Sequence, residues 1–139
     1  MRAALVALLT AVSGASRTAG HARLVLRRAA QLADLLFVAV NSDRCVRKLK
    51  GAGRPVIDET HRAALVAALE VVDRVVVLDD DDPSPLLRRL KPEVLVKGGG
   101  YRLDEVVGRQ VVEAYGGRVE LTEHVPGTST SQIVASLSS

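Results

Sequence analysis

Apolar runs of strand length recur along the chain at Ala4–Val12, Leu35–Val40, Arg74–Leu78, Val94–Val96 and Arg118–Leu121. Between them the pattern turns helical and predicts helices over Gly20–Ala33, Asp43–Leu49, Thr60–Val71, Pro85–Leu90, Leu103–Tyr115 and Ser129–Leu137. Start signals accompany several of these: Asp43 follows Asn41-Ser42, Asp58 and Thr60 precede a helical period, and Ser84-Pro85 reads as N-cap then first helical residue. Gly116-Gly117 stops the helix before it. The alternation reads as successive βα units. Right-handed crossovers then give an α/β architecture, an open parallel five-stranded sheet with helices on both faces. Residues 1–139 are read as one domain.

Composition narrows the core. Apolar residues make up 47% of the chain but only two Tyr and one Phe are aromatic, so Val, Leu, Ala and Ile must fill it, as suits parallel strands under Ala/Leu-rich helices. The net charge of +3 is modest and the basic residues are scattered, which disfavours nucleic acid as a partner. A single cysteine, Cys45, excludes an intrachain disulfide and fits a reducing compartment. The run Ala3–Val12 behind Met1-Arg2 could pass for a short signal peptide, but it falls short of the about 20 residues that span a bilayer. A retained first strand, a cytoplasmic location and no membrane partner are the expectations.

Ligands of open parallel sheets sit beyond the strand carboxyl ends, near a switch in strand order. The segments there are Ser13–His21, Asn41-Ser42-Asp43, Asp79–Asp82, Lys97-Gly98-Gly99-Gly100-Tyr101 and Thr122–Ser131. In the first, Thr18-Ala19-Gly20-His21 places a hydroxyl and an imidazole three residues apart across a helix start, where free N–H groups and the helix dipole favour an anion. Imidazole has a reference pKa of about 6.5, so His21 can donate to a phosphate oxygen neutral or charged. The plainer readings stand beside these. Arg62 could pair with Asp58 or Glu59 on its own helix, Ser129-Thr130 could be only an N-cap, and Lys48 and Lys50 could be solvated cations. Asp79–Asp82 reads as a solvated acidic loop and Cys45 as packing.

The order of Asn41-Ser42-Asp43, Val46–Val56, His61-Arg62-Ala63-Ala64-Leu65, Val96-Lys97-Gly98-Gly99 and Gly127-Thr128-Ser129-Thr130-Ser131 resembles the adenylyltransferase domains of ADP-heptose synthases. These are the D-glycero-D-manno-heptose 1-phosphate adenylyltransferases of the HxGH nucleotidyltransferase superfamily. The resemblance implies a Rossmann-like fold and transfer of an adenylyl group from ATP to a sugar 1-phosphate, with Mg²⁺ accompanying ATP and no protein-held metal. It implies catalytic roles for His21, Thr18 and Lys50. Nucleotide contacts would come from Ser13, Gly14, Gly20, Lys48, Arg62, Lys97, Gly98, Ser129 and Thr130, and substrate contacts from Asn41 and Arg54. It is compatible with a homo-oligomer, and any sugar kinase is expected to be a separate protein.

Three positions depart from the family pattern. Val12-Ser13-Gly14-Ala15 replaces a Gly-Cys-Phe-Asp type run, Thr18 replaces the first His of HxGH, and Gly100 replaces the Asp of Lys-Gly-Gly-Asp-Tyr. These motivate a competing reading, a nucleotide-binding relative with weak or no turnover. A cytidylyltransferase of the same superfamily is another; the Lys97-Gly98-Gly99 and Gly53-Arg54-Pro55 matches favour ATP.

Overall fold

Five strands pair in parallel in one sheet: β1 (Ala3–Leu8), β2 (Leu35–Asn41), β3 (Arg74–Leu78), β4 (Val94–Lys97) and β5 (Arg118–Leu121), in the spatial order β3-β2-β1-β4-β5. The computed structural model describes residues 2–8, 16–53, 57–98 and 102–122. The chain builds outward from β1 to β3, then returns across the sheet to β4. The register sets Leu5 between Phe37 of β2 and Leu95 of β4, so the switch in strand order lies between β1 and β4. The predicted strand Ala4–Val12 is described only to Leu8.

The helices are α1 (Ser16–Ala30), α2 (Asp43–Lys50), α3 (Glu59–Ala67), α4 (Ser84–Leu90) and α5 (Arg109–Ala114). Alternation along the strands divides the core into two layers. Leu36, Val38, Val40, Val94 and Val96 pack with Val25, Leu26 and Ala29 of α1 and Val66 of α3. Ala39 and Leu95 face the other way, with Leu87 of α4 and Val112 of α5. This is what right-handed crossovers require: those running from β1 to β3 cover one face, and those running to β4 and β5 the other. Each fully buried Leu or Val contributes about 1.5–3 kcal/mol by leaving water.

Several boundaries differ from the sequence expectation. Helix α1 begins at Ser16, one turn before the expected Gly20, so Gly20 is an interior glycine, tolerated at about 1 kcal/mol relative to Ala. Helix α3 ends at Ala67 instead of Val71. The expected helix Leu103–Tyr115 is two pieces: a 3-10 turn at Leu103–Glu105, then α5. Between them Val106 is extended and Gly108 adopts φ 92°. A Cβ on Gly108 would stand 2.3 Å from Leu87 Cδ1, so the missing side chain also lets α4 approach. Ser84 is not the N-cap of α4 but its first residue; Asp82 accepts from the Ser84 N–H at 2.9 Å and from its hydroxyl at 2.6 Å. The expected helix Ser129–Leu137 lies outside the described residues. Among the described residues no helix is long and apolar enough to cross a membrane.

Candidate functional site

The carboxyl edge of the sheet is assembled from the ends of β2, β3, β4 and β5 and from the start of α1, which follows β1. The first turn of α1 carries no acidic residue, so nothing on the helix itself offsets the positive end of its dipole. Its first four N–H groups belong to residues 16–19, Thr18 among them, rather than to the residues after Gly20 as expected from sequence. Thr18 and His21 lie three residues apart in this helix. The tetrad therefore forms part of the first two turns instead of straddling the helix start.

Strand β4 supplies Lys97 at its carboxyl end. All four β4 residues are buried, and Lys97, only 7% exposed, shares the sheet face of Leu95. Burial pulls its pKa down to about 8. Its carbonyl accepts the Thr122 N–H at 3.0 Å, which ties the residue after β5 to the same edge, and half-buried Gly98 follows.

At the end of β2, Asn41 and Ser42 are buried. Ser42 caps α2: its hydroxyl oxygen accepts the Cys45 N–H at 3.2 Å and donates to Asp79 Oδ1 at 2.5 Å. Its own N–H donates to the Leu78 carbonyl at 2.9 Å. Arg44 also donates to Asp79, and Lys48, exposed on α2, donates to Asp81. Hydrogen bonds from Ser42 and Arg44 lower the Asp79 pKa; the Lys48 hydrogen bond does so for Asp81, and those from Ser84 for Asp82. The acidic loop is exposed, as expected, yet three of its four carboxylates are engaged, two of them by α2. Cys45 is buried and free, in keeping with packing.

Arg62 departs from the pairing within its own helix that the sequence offered. It reaches neither Asp58 nor Glu59; its buried guanidinium donates to Asp43 Oδ1 at 2.8 Å and to the Ile57 carbonyl at 3.0 Å. Asp58 is instead the N-cap of α3 and binds His61, whose hydrogen bonds lower its pKa. Asp43, Glu59 and Asp79 thus enter the edge network through partners that the sequence did not offer. Their partners lie 16 to 37 residues away, beyond any helical or strand spacing.

Lys50 closes α2, with Gly51 and Gly53, both at positive φ, following it. Ser13, Gly14, Arg54, Ser129 and Thr130 lie outside the described residues. The start of α1, Asn41, Lys97 and Gly98 thus stand along the carboxyl edge of one sheet, while Lys48 is turned to Asp81 and Arg62 to Asp43.

Residues 17–136 match the family model described as cytidylyltransferase-like. Over 115 residues, 83% of the chain, the sequence is 53% identical to the bifunctional protein HldE of Geotalea uraniireducens (strain Rf4) and 52% identical to that of Geobacter sulfurreducens. The chain spans 23% of the length of each. Among solved structures, the lipopolysaccharide core biosynthesis protein from Thermoplasma volcanium GSS1 has a TM-score of 0.70 at 22% identity, covering 90% of this chain and 99% of that one. That likeness concerns the fold.

Proposed function

The chain belongs to the cytidylyltransferase-like family, and from that premise we propose that it transfers an adenylyl group from ATP to a sugar 1-phosphate, a heptose 1-phosphate or a close relative. The observation that carries this reading is the identity of about half over 115 residues to the HldE proteins.

In this reading a phosphate oxygen of the sugar 1-phosphate attacks the α-phosphorus of ATP in line. The bond from that phosphorus to the bridging oxygen breaks, pyrophosphate leaves, and an ADP-sugar remains. No protein nucleophile is required, so the protein acts by positioning and by stabilising charge. The uncompensated first turn of α1 would offer N–H groups to the phosphates, and Thr18 and His21 would donate to them. Lys97 with Gly98 lines the nucleotide on the β4 side. Lys50 would stabilise the reacting phosphates, with Lys48 beside it after release from Asp81, and Asn41 would contact the acceptor. Ser13, Gly14, Gly20, Arg54, Ser129 and Thr130 retain the contacts that the resemblance implies. We expect Mg²⁺ to accompany ATP, held chiefly by its phosphates. Among the described residues no three His, Cys, Asp or Glu side chains are grouped to hold a metal ion.

The test is pyrophosphate release from ATP and Mg²⁺ with a panel of sugar 1-phosphates, heptose 1-phosphate included. Release with one of them that is lost in His21→Ala supports the reading; no release with any of them refutes it. The family's cytidylyltransferase description favours a second arm with CTP, and preference for CTP would reassign the nucleotide.

A further inference from the structure

The first turn of α3 reaches back to the first residue of α2 with two groups of opposite charge. Glu59 Oε2 accepts the Asp43 N–H at 2.8 Å, while Arg62 Nη2 donates to the Asp43 carboxylate at 2.8 Å. The Arg62 side chain is 3% exposed, and its Nε is held by the Ile57 carbonyl at 3.0 Å. One residue earlier, Ser42 is bound to Leu78 and Asp79. The start of α2 is thus fixed from α3 on one side and from the end of β3 on the other. A carboxylate occupies its first N–H, so an incoming phosphate would meet Glu59 there. Arg44, at the near end of α2, is engaged by Asp79, whereas the two lysines lie at the far end: Lys48 and Lys50 are five and seven residues on from Asp43, about 7–11 Å along the axis. A small tilt at Asp43 therefore displaces both lysines.

We propose that Arg62 and Glu59 are positioning residues, acting through Asp43 to aim the basic end of α2 at the phosphate of the acceptor sugar, and that Arg62 makes no substrate contact itself. This rests on the adenylyl-transfer reading and assigns a different role to Arg62 from the nucleotide contact that the family resemblance implies. A buried, doubly bonded guanidinium suits a fixed strut, because freeing it for a ligand would leave Asp43 without its countercharge.

The test is a double-mutant cycle on Asp43→Asn and Arg62→Lys, both close in shape to the native residues, with Glu59→Ala as a third variant. Steady-state kinetics are read with heptose 1-phosphate and ATP varied in turn. Positioning through Asp43 predicts that each variant raises KM for the sugar phosphate by about tenfold. It also predicts that kcat falls with it because Lys50 is displaced, that the KM for ATP stays within about twofold, and that the double variant is no worse than the more impaired single, the sign of one shared interaction. Direct phosphate contact by Arg62 predicts instead that Asp43→Asn behaves as wild type while Arg62→Lys is impaired, and that result overturns the proposal. A parallel loss of kcat and of both KM values, with lowered thermal stability, reduces the network to general scaffolding and also overturns it. Should the wild type bind heptose 1-phosphate by calorimetry but release no pyrophosphate, the transfer reading alone fails. The same cycle is then read from that affinity. Absence of both binding and turnover in the wild type overturns both.

Discussion

Lys97 carries the most consequential single charge on the described edge. Its pKa falls from 10.5 to about 8 because burial penalises the ammonium form. The unfolded chain therefore holds this proton more tightly than the folded one, and Lys97 makes stability rise with pH between about 8 and 10.5. Binding should respond in the opposite sense. If Lys97 helps hold the ATP phosphates, affinity for ATP weakens as pH rises through about 8, by up to about tenfold per pH unit. Lys97→Gln should bind ATP more weakly at neutral pH and show a flat profile. Calorimetric affinities from about pH 7 to about 9.5 check this, and a flat wild-type profile would remove Lys97 from the phosphate site. The residue type and its place after an apolar run were legible in the sequence; the depth of its burial was not, since it depends on β1 and β5 flanking β4. Arg62 shows the same limit more sharply. Sequence offered it partners within its own helix, whereas its partner is Asp43, 19 positions away.

At the scale of elements, hydrophobic periodicity located all five strands to within a few residues wherever they are described, because a parallel sheet under helices imposes long apolar runs. It failed where the boundary depends on a neighbour. The Val106-Val107-Gly108-Arg109 stretch keeps a helical period, so a single helix through it was the natural expectation. What interrupts it is the left-handed backbone of Gly108 together with the approach of Leu87, 21 positions earlier. Gly108→Ala should therefore cost about 1–3 kcal/mol, from positive φ and from displacing Leu87, measured as a lower urea midpoint at unchanged slope. A neutral result would mean that α4 and α5 can separate freely here. The start of α4 offers a second case. Pro83 stands at the cap position expected for Ser84 from sequence, and the first helical N–H is taken by Asp82, two residues before Ser84, so Asp82→Ala should lose about 1 kcal/mol. Ser84→Ala leaves the Asp82 bond to the Ser84 N–H in place and should cost less.

The described residues form a single sheet shared by two layers, and a parallel sheet covered on both faces was legible because alternating strands and helices joined by right-handed crossovers leave few arrangements, whereas the strand order was not. What no rule supplies is how the layers and loops lock together, as Asp79 does with α2 or Glu59 with Asp43. The shared sheet has an energetic consequence of its own. Strands β2 and β4 present alternate residues to opposite layers, Val38 and Val96 to one, Ala39 and Leu95 to the other. Neither layer can be lost without exposing the back of the strands that the other still covers. Val66→Ala on α3 and Val112→Ala on α5 each remove methyl groups from fully packed positions, on opposite faces and with no core cluster in common. Each should destabilise by about 2 kcal/mol. Because the sites are separated by the sheet, the double variant should lose the sum to within about 0.5 kcal/mol. Both singles and the double should unfold in one transition, with coincident far-ultraviolet dichroism and tyrosine fluorescence. In a Tyr101→Phe background the fluorescence comes from Tyr115 alone, which packs against Val112's cluster in the α5 layer, while dichroism reports on all helices. If Val66→Ala shifted the dichroism transition and left the tyrosine transition where it was, the layers would unfold separately, and the sheet would not be the common core of the molecule.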